Sequence, residues 1–290
     1  MKRIALFENQ NKPEAIKYAQ ITARLLYEKG FECYVSDQIY GNMTDEYKSY
    51  VKTIELSEFR EVIDVIITLG GDGTILSAVR QVADSAIPIM GINVGKLGFL
   101  AEFPNTQIES AVSALVNGEY RIVERAMLST NVDGEIILAL NDIVVEKLSS
   151  SRMITLHTYS DDNFVAAYRA DGLIVTTPTG STAYSLASGG PILAPSTKVI
   201  CLTPIAPHSL TFRPLVIPEE NTITLKVEAP NGEAKLVADG QVEKILKNGD
   251  EVKISIAKER VQLIKPKKTS YYDVLRAKLL WAADPTATIK

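Results

Sequence analysis

The sequence predicts two architectures in succession: an α/β N-terminal domain with a parallel, Rossmann-like sheet, and a mostly antiparallel, all-β C-terminal domain. In the first part of the chain, apolar segments alternate with amphipathic ones, which is the pattern of βαβ units. From about Arg121 the apolar segments become short and extended, with turn residues between some of them. We expect an α/β domain over residues 1–118, a β-rich domain over 119–265, and a segment 266–290 whose helix packs back on the first domain.

The first part is expected to hold four strands, at residues 3–7, 31–36, 62–69 and 87–92. A helix is expected over residues 13–29, because Ile16, Ala19, Ala23 and Leu26 fall on one face and Gly30 ends the pattern. Residues 37–60 are polar and poorly patterned, so no firm structure is predicted there.

The second part is expected to be built from short strands, at residues 135–140, 143–146, 153–158, 164–168, 173–176, 222–227 and 252–256. Asn231-Gly232 and Asn248-Gly249 are typical of hairpin turns. Residues 272–282 return to a helical pattern.

The composition is that of an ordinary globular protein, with 290 residues, 46% hydrophobic and 23% charged. A net charge of -4 argues against a broad nucleic-acid surface. The cysteines, Cys33 and Cys201, predict neither a disulfide framework nor a metal site. No apolar run is long enough for a signal sequence or a membrane span, so we expect a cytoplasmic protein. The lysines at 265, 267 and 268 surround Pro266 and are expected to lie in a solvated loop.

Residues 70–74, Gly-Gly-Asp-Gly-Thr, are expected to form the turn between a buried strand and a helix. The preceding segment is β-branched and apolar, and Ile75, Val79 and Val82 share one helical face after the turn. Backbone N–H groups and the positive end of a helix dipole favour a phosphate at such a turn, and glycine lets the anion come close. The loop therefore predicts a phosphate site.

Asp72 is unexpected in this loop, because a carboxylate repels phosphate. Its presence is explained if Asp72 does chemistry beside the phosphates, as a general base or through a metal ion. The alternative is that Asp72 merely caps the N-terminus of the following helix. The loop alone leaves both interpretations open.

Two common nucleotide-binding motifs are missing. Residues 91–96 have three residues between their glycines rather than four, and Leu97 stands where a P-loop has Ser or Thr. No Gly-x-Gly-x-x-Gly is present, which disfavours an NAD-dependent dehydrogenase. The second part instead has a polar pair, Asn141-Asp142, between apolar residues, and a segment rich in hydroxyls and glycines, 177–191. Such segments can bind ribose and phosphate oxygens, although turns and helix caps have the same composition.

Together these segments resemble the NAD kinase family from about Ile66 to Leu280. The resemblance is carried by residues 70–74, 93–100, 141–142, 169–172, 177–191, 207–210 with 213–214, and 239–241. Phosphofructokinases and lipid kinases share loops like 70–74, whereas the 177–191 segment is far more specific. The resemblance implies transfer of a phosphoryl group from ATP or polyphosphate to the adenosine 2′-hydroxyl of NAD, which forms NADP.

The resemblance also implies roles for individual residues. Asp72 would take the proton from the 2′-hydroxyl, and Asn141 with Asp142 would hold the ribose hydroxyls. The other binding residues that it implies are Gly71, Gly73, Thr74, Phe99, Arg152, Arg169, Asp171, Thr182, Ala183, Tyr184, Ser185, Ala187, Ala206 and Gln241. The sequence departs from the family at two places: position 142 is more often Glu, and the order Ala187-Ser188 is more often reversed.

The implied substrates are ATP and NAD, with Mg²⁺ carried mainly by the donor phosphates and its protein ligands unassigned. A homodimer or homotetramer is also implied, with neither nucleic acid nor membrane as a partner. Two other functions stay open. One is a non-catalytic dinucleotide sensor, which has no need of Asp72. The other is a lipid kinase, for which the sequence shows no apolar acceptor groove.

Overall fold

The computed structural model describes residues 2–8, 13–83, 85–95, 97–148, 152–229 and 232–280. The chain divides into two compact units. The first unit is Met1–Glu124 with Val261–Lys290, and the second is Arg125–Arg260.

The N-terminal part alternates strands and helices in the order of βαβ units. Its strands are β1 (Arg3–Glu8), β2 (Glu32–Val35), β3 (Val51–Thr53), β4 (Val65–Gly70), β5 (Ile89–Asn93) and β6 (Phe103–Pro104). Its helices are α1 (Pro13–Glu28), α2 (Asp37–Asn42), α3 (Asp45–Lys48), α4 (Phe59–Val62), α5 (Asp72–Val82) and α6 (Ile108–Asn117).

The rest of the chain is mostly strand. The strands are β7 (Tyr120–Val132), β8 (Glu135–Ala139), β9 (Asp142–Lys147), β10 (Ile154–Ser160), β11 (Asn163–Ala170), β12 (Gly172–Thr176), β13 (Val199–Ile205), β14 (Leu215–Pro218), β15 (Ile223–Glu228), β16 (Ala234–Ala238), β17 (Val242–Leu246) and β18 (Glu251–Pro266). The helices are α7 (Tyr184–Ala187) and α8 (Tyr271–Leu279).

The first unit contains a parallel sheet in the order β3-β2-β1-β4-β5-β18, with β6 added to β5. Every residue of β4 and β5 is buried. Because the strands are parallel, their carboxyl ends share one edge, where Glu8 pairs with Leu69 and Gly70 pairs with Asn93. This is the edge at which parallel sheets bind ligands.

The second unit contains two antiparallel sheets whose inner faces share one hydrophobic core. One sheet has the order β11-β10-β15-β18 and includes the β7-β8 hairpin, and the other has the order β14-β13-β12-β9-β16-β17. Side chains alternate along each strand, so Ile143 and Val145 of β9 point into the core. Asp142, Val144 and Glu146 therefore lie on the opposite face of the six-stranded sheet.

The predicted fold class is confirmed: a parallel α/β region comes first and an antiparallel β region follows. Several elements differ from the prediction, and two of the differences have a clear physical reason. The strand expected from residue 62 begins at Val65, because Phe59–Val62 complete a helical turn. Residues 37–60, for which no structure was expected, form short elements that include α2, where Ser36 caps the helix and Ile39 is buried. Elements of three to six residues are too short for a periodic pattern to show.

Asn248-Gly249 does not close a hairpin, which corrects that prediction. The turn joins β17 to β18, but β17 pairs with β16 and β18 pairs with β15 in the other sheet. Its geometry serves a different contact: the Asn248 side chain accepts a hydrogen bond from the N–H of Ala229 at 2.8 Å. The other expected turn residue, Asn231, lies outside the described residues, as do Lys96 and residues 281–282.

Lys265 does not lie in a solvated loop but is buried in β18, with 1% of its surface exposed. A parallel pairing of β18 with β5 carries it inside, because Leu263 pairs with Ile89. Only Lys267 and Lys268 of that cluster are exposed. Within the described part of the chain, no helix is long and apolar enough to cross a membrane.

Candidate functional site

The predicted phosphate loop lies where the sequence places it, between β4 and α5 at the carboxyl edge of the parallel sheet. Gly71 is the N-cap of α5 and Asp72 is its first residue, so the alternative that Asp72 caps the helix is wrong. The Thr74 hydroxyl is buried and accepts a hydrogen bond from the N–H of Gly71 at 3.3 Å, which tightens the turn. Gly73 is exposed.

The Asp72 carboxylate accepts hydrogen bonds from three consecutive backbone N–H groups of residues 99–101. Oδ2 accepts from Phe99 at 2.8 Å, and Oδ1 accepts from Leu100 and from Ala101, both at 3.0 Å. The contact requires glycine at position 98, because a Cβ there would lie 1.9 Å from Asp72 Oδ1. Asp72 is half-buried.

A second polar site lies in the second unit, on the outer face of β9 and β16. It is a cavity of about 420 Å³, lined by Asn141, Asp142, Val144, Glu146, Ala183, Tyr184, Lys235, Val237, Asp239, Gly240 and Glu243. Residues 142, 144 and 146 alternate along β9, as do 235 and 237 along β16, so the sheet's outer face forms one wall. Residues just before and within α7 supply another part of the lining.

Asp239 holds the start of β9 in place from a hairpin turn. Its carboxylate accepts hydrogen bonds from the N–H groups of Leu140 at 2.9 Å, Asn141 at 2.7 Å and Asp142 at 3.2 Å. Asp239 and Gly240 both have left-handed backbone angles, with φ of 50° and 65°, as the tight connection of β16 to β17 requires. Asp239 and Asp142 are therefore close neighbours.

Asp142 is buried, and burial raises the pKa of its carboxyl to about 7, with a further contribution from the negative charge of Asp239. Burial also raises the pKa of Tyr184, and the nearby carboxylate of Glu146 raises it further. Across the pocket, Lys235 pairs with Glu243 at 2.9 Å and with Glu146 at 3.4 Å. The lining thus carries four carboxyl groups and one lysine. Such a lining favours ligand hydroxyls over phosphates.

The segment 177–191 has a structural part in this site, because it fixes Asn141. The Asn141 carbonyl accepts hydrogen bonds from the hydroxyl of Thr176 and from the N–H of Thr177, both at 2.9 Å. A Cβ at position 180 would lie 2.2 Å from the same carbonyl oxygen, so the close approach needs Gly180. The threonines and glycine hold Asn141 and leave its side chain for another partner.

Of the residues predicted to bind a dinucleotide, the structure brings Asn141, Asp142, Ala183 and Tyr184 together in the pocket. Asp171 pairs instead with Lys147 at 2.7 Å, and the buried Ser185 hydroxyl lies 2.8 Å from that of Thr203. The Thr182 hydroxyl donates to Thr179 O at 3.4 Å. The remaining ones in this unit are exposed: Arg152, Arg169, Ala187, Ala206 and Gln241.

The sequence interpretation missed several lining residues: Val144, Glu146, Lys235, Val237, Asp239, Gly240 and Glu243. The sequence did offer a signal for Asp239 and Gly240, since Asp-Gly between extended segments is typical of a tight hairpin. The others depend on which face of the sheet is free, which the alternating pattern alone does not tell.

The residues that the structure describes contain no group of three or more His, Cys, Asp or Glu placed to hold a metal ion.

Comparisons with known proteins agree on one family. Residues 4–120 match the ATP-NAD kinase N-terminal domain, and residues 140–266 match the ATP-NAD kinase C-terminal domain.

The chain belongs to the NAD kinase family.

The NAD kinase of Prosthecochloris aestuarii is 41% identical over 96% of this chain and 97% of its own length. The NAD kinase of Solibacter usitatus is 39% identical over 93% of this chain and 96% of its own length.

Solved structures of the family share the fold. An NAD kinase from Archaeoglobus fulgidus in complex with ATP has a TM-score of 0.74 at 26% identity, and the match covers 95% of this chain and 99% of that one. A yeast NADH kinase complexed with NADH has a TM-score of 0.89 at 24% identity, and the match covers 100% of this chain and 90% of that one.

Proposed function

We propose that this chain transfers a phosphoryl group from ATP to the adenosine 2′-hydroxyl of NAD, with Asp72 as the general base. The observation that carries this proposal is the acidic pocket around Asn141 and Asp142. A buried carboxyl group and the side chain of an asparagine whose backbone is held in place suit the two hydroxyls of a ribose, and four carboxyl groups disfavour a phosphate there. The acceptor therefore binds by its hydroxyls in the second unit.

Asp72 is proposed to take the proton that the 2′-hydroxyl loses as its oxygen attacks the γ-phosphorus of ATP. That attack forms the new P–O bond, breaks the bond from γ-phosphorus to the bridging oxygen, and releases ADP. The backbone of Gly71 and Gly73, with Thr74, is proposed to receive the donor phosphates at the start of α5. Mg²⁺, carried by the phosphates, would neutralise charge there.

The other residues implied by the family resemblance keep their proposed roles around the dinucleotide. Phe99 and Tyr184 offer aromatic faces, and Arg169 offers a cation near Asp171. Polyphosphate as an alternative donor, a cytoplasmic location and a homodimer or homotetramer stay predictions.

The activity is tested with purified protein, Mg²⁺ and NAD, with ATP or polyphosphate as donor and NADP formation as the readout. We expect NADP from ATP. Parallel reactions with NADH test whether the reduced dinucleotide is also an acceptor. Reactions with diacylglycerol as the acceptor test the lipid kinase alternative. Binding of NAD without NADP formation under any donor would support the sensor alternative and contradict the proposal.

Asp72→Asn tests the base. An amide cannot accept a proton at neutral pH, so we expect kcat to fall by roughly 10²–10⁴-fold with NAD binding retained. The Asn carbonyl can still accept the hydrogen bonds from Leu100 and Ala101, while the bond from Phe99 is lost. If Asp72 instead bound a metal ion, excess Mg²⁺ would restore part of the rate. A kcat within a few-fold of wild type would rule out the assignment.

A further inference from the structure

We propose that Lys265 and Glu102 are positioning residues for Asp72, and that this buried ion pair raises the rate of phosphoryl transfer without touching a substrate. The proposal rests on the proposed function, since it takes Asp72 as the base. It concerns the segment 98–102, in which the N–H groups of residues 99–101 bind the Asp72 carboxylate.

The ion pair is almost completely buried and lies against this segment. The Lys265 ammonium is 2.7 Å from Glu102 Oε1, and the two side chains are 1% and 7% exposed. Lys265 Nζ also donates a hydrogen bond to Leu100 O at 2.7 Å and a longer one to Phe99 O at 3.4 Å. The segment is thus held by Asp72 through its N–H groups and by Lys265 through its carbonyl groups.

The two sets of hydrogen bonds belong to the same peptide units. The Phe99 carbonyl shares a peptide with the Leu100 N–H, and the Leu100 carbonyl shares one with the Ala101 N–H. Both N–H groups donate to Asp72 Oδ1. A positive charge that is hydrogen-bonded to a carbonyl oxygen polarises the peptide. The N–H of that peptide then becomes a stronger hydrogen-bond donor, because chains of hydrogen bonds are cooperative. The polarising effect of the Lys265 ammonium therefore reaches Asp72 through two peptide units.

Stability alone explains the ion pair poorly. Burying two charges is costly, and well-packed apolar residues often replace such a pair without loss of stability. Of the described side-chain atoms, Glu102 Oε2 is one that is buried without a hydrogen-bond partner. A pair with this cost is better explained by its orienting and polarising effect on residues 99–101.

The first experiment separates rate from stability. Lys265→Met keeps the length of the side chain and removes the charge, and the double variant with Glu102→Gln removes both charges. We expect kcat for NADP formation to fall ~10-fold or more in both, by analogy with other misplaced catalytic groups, while KM for NAD and ATP stays within about 3-fold. The double variant should recover the thermal midpoint that the single variant loses, but not kcat. Lys267→Met, at an exposed site two residues away, is the matched control.

A double-mutant cycle with Asp72 then separates positioning from general damage. If Lys265 acts through Asp72, Lys265→Met should lower the residual kcat of Asp72→Asn by less than about 2-fold, because interacting residues are not additive. An equal fall in both backgrounds, or a double variant with wild-type kcat, would overturn the proposal.

An NMR measurement reads the same effect without activity. With selective ¹⁵N labelling of leucine and alanine, the amide protons of Leu100 and Ala101 should move upfield in Lys265→Met and not in Lys267→Met. Unchanged shifts at both amides would contradict the proposed polarisation. If the wild-type chain formed no NADP, the proposed function would fail, while the amide shifts would still decide whether Lys265 polarises the contact with Asp72.

Discussion

Asp72 and Asp239 make the same kind of contact in different surroundings. Each carboxylate accepts three consecutive backbone N–H groups, those of residues 99–101 for Asp72 and of residues 140–142 for Asp239. Asp72 begins a helix, and the peptides that it binds receive hydrogen bonds from a buried lysine on their carbonyl side. Asp239 lies in a hairpin turn beside a second buried carboxyl group, that of Asp142.

The difference shows that a shared hydrogen-bond pattern does not set the chemistry of a carboxylate. Three N–H donors hold either carboxylate in a fixed orientation. What differs is the next charge: the Lys265 ammonium behind residues 99–101, and the Asp142 carboxyl beside Asp239. We therefore expect the Asp72 contact to affect the rate of transfer and the Asp239 contact to affect stability and the pH dependence of NAD binding.

Of the variants that test this comparison, the largest effect is expected from Gly98→Ala, which fills the space that the Asp72 contact needs. In Gly98→Ala the new Cβ would meet Asp72 Oδ1 at 1.9 Å, so the carboxylate must move. Misplacing a catalytic group by about 1 Å can cost ~10²-fold, and we expect a fall in kcat of that order. Steady-state kinetics at saturating ATP and NAD measure it.

Gly41→Ala is the control for this prediction, since a Cβ there meets nothing within 4 Å. If Gly98→Ala kept the wild-type kcat, the contact between Asp72 and residues 99–101 would not matter for transfer, and the contrast between the two aspartates would be lost.

Asp239→Asn probes the other contact. Oδ1 accepts from Asn141 and Asp142, and Oδ2 accepts from Leu140, so an amide must lose one set of bonds. We expect the free energy of unfolding to fall by about 1–3 kcal/mol, the cost of stranding buried polar groups. Denaturant unfolding measures it. Asp133→Asn is the matched control, because Asp133 is an exposed turn residue with a φ of 54°.

The same variant should lower the pKa of Asp142, because it removes a neighbouring negative charge. Carboxyl ¹³C chemical shifts against pH report this change. An unchanged pKa would show that burial alone perturbs Asp142, and a rise would contradict the predicted contribution of the Asp239 charge.

The pH dependence of NAD use gives a smaller effect. Ionised Asp142 accepts hydrogen bonds from ribose hydroxyls and its protonated form accepts fewer, so we expect KM for NAD to fall ~10-fold as pH rises through about 7. KM for ATP should not follow this curve. Asp142→Asn should remove the inflection, and an inflection that persisted in the variant would assign the titration to another group.

Stability should respond to the same titration with a defined sign. The pKa of Asp142 is about 7 in the folded protein and near 4 in the unfolded chain, so the folded state binds more protons between these values. The contribution of Asp142 to stability is therefore fully present below pH 4 and is lost as pH rises through 7. Thermal midpoints of wild type and Asp142→Asn, compared from pH 4 to 8, should diverge in that direction.

Lys278→Met gives the smallest expected effect. It compares an exposed lysine with the buried Lys265, since both donate hydrogen bonds to carbonyl groups of neighbouring residues. Lys278 is exposed, donates to Leu97 O at 2.5 Å and lies 5.3 Å from the centre of the Phe99 ring. Exposed contacts of this kind contribute about 0–1 kcal/mol, so we expect a change in stability within that range and a small change in kcat. A loss as large as that of Lys265→Met would show that burial does not distinguish the two lysines.

The local sequence determined the elements around the site. An apolar β-branched run before Gly70 and helical spacing after Thr74 sufficed to place the loop between β4 and α5, because these patterns reflect burial of near neighbours in the chain. The change from βαβ to short strands likewise predicted both architectures.

Only the tertiary structure decided what each polar group binds. Lys265 looked like a solvated residue beside a proline, yet its partner Glu102 is distant in the chain and meets it only when β18 pairs with β5. For Asp72 the sequence left a chemical role and a helix cap open, and it did not indicate that the carboxylate accepts hydrogen bonds from the N–H groups of residues 99–101. Asn248-Gly249 had the composition of a hairpin but connects two sheets. Hydrogen bonds and ion pairs act over about 3 Å in space, and strand pairing, not sequence spacing, sets which groups come that close.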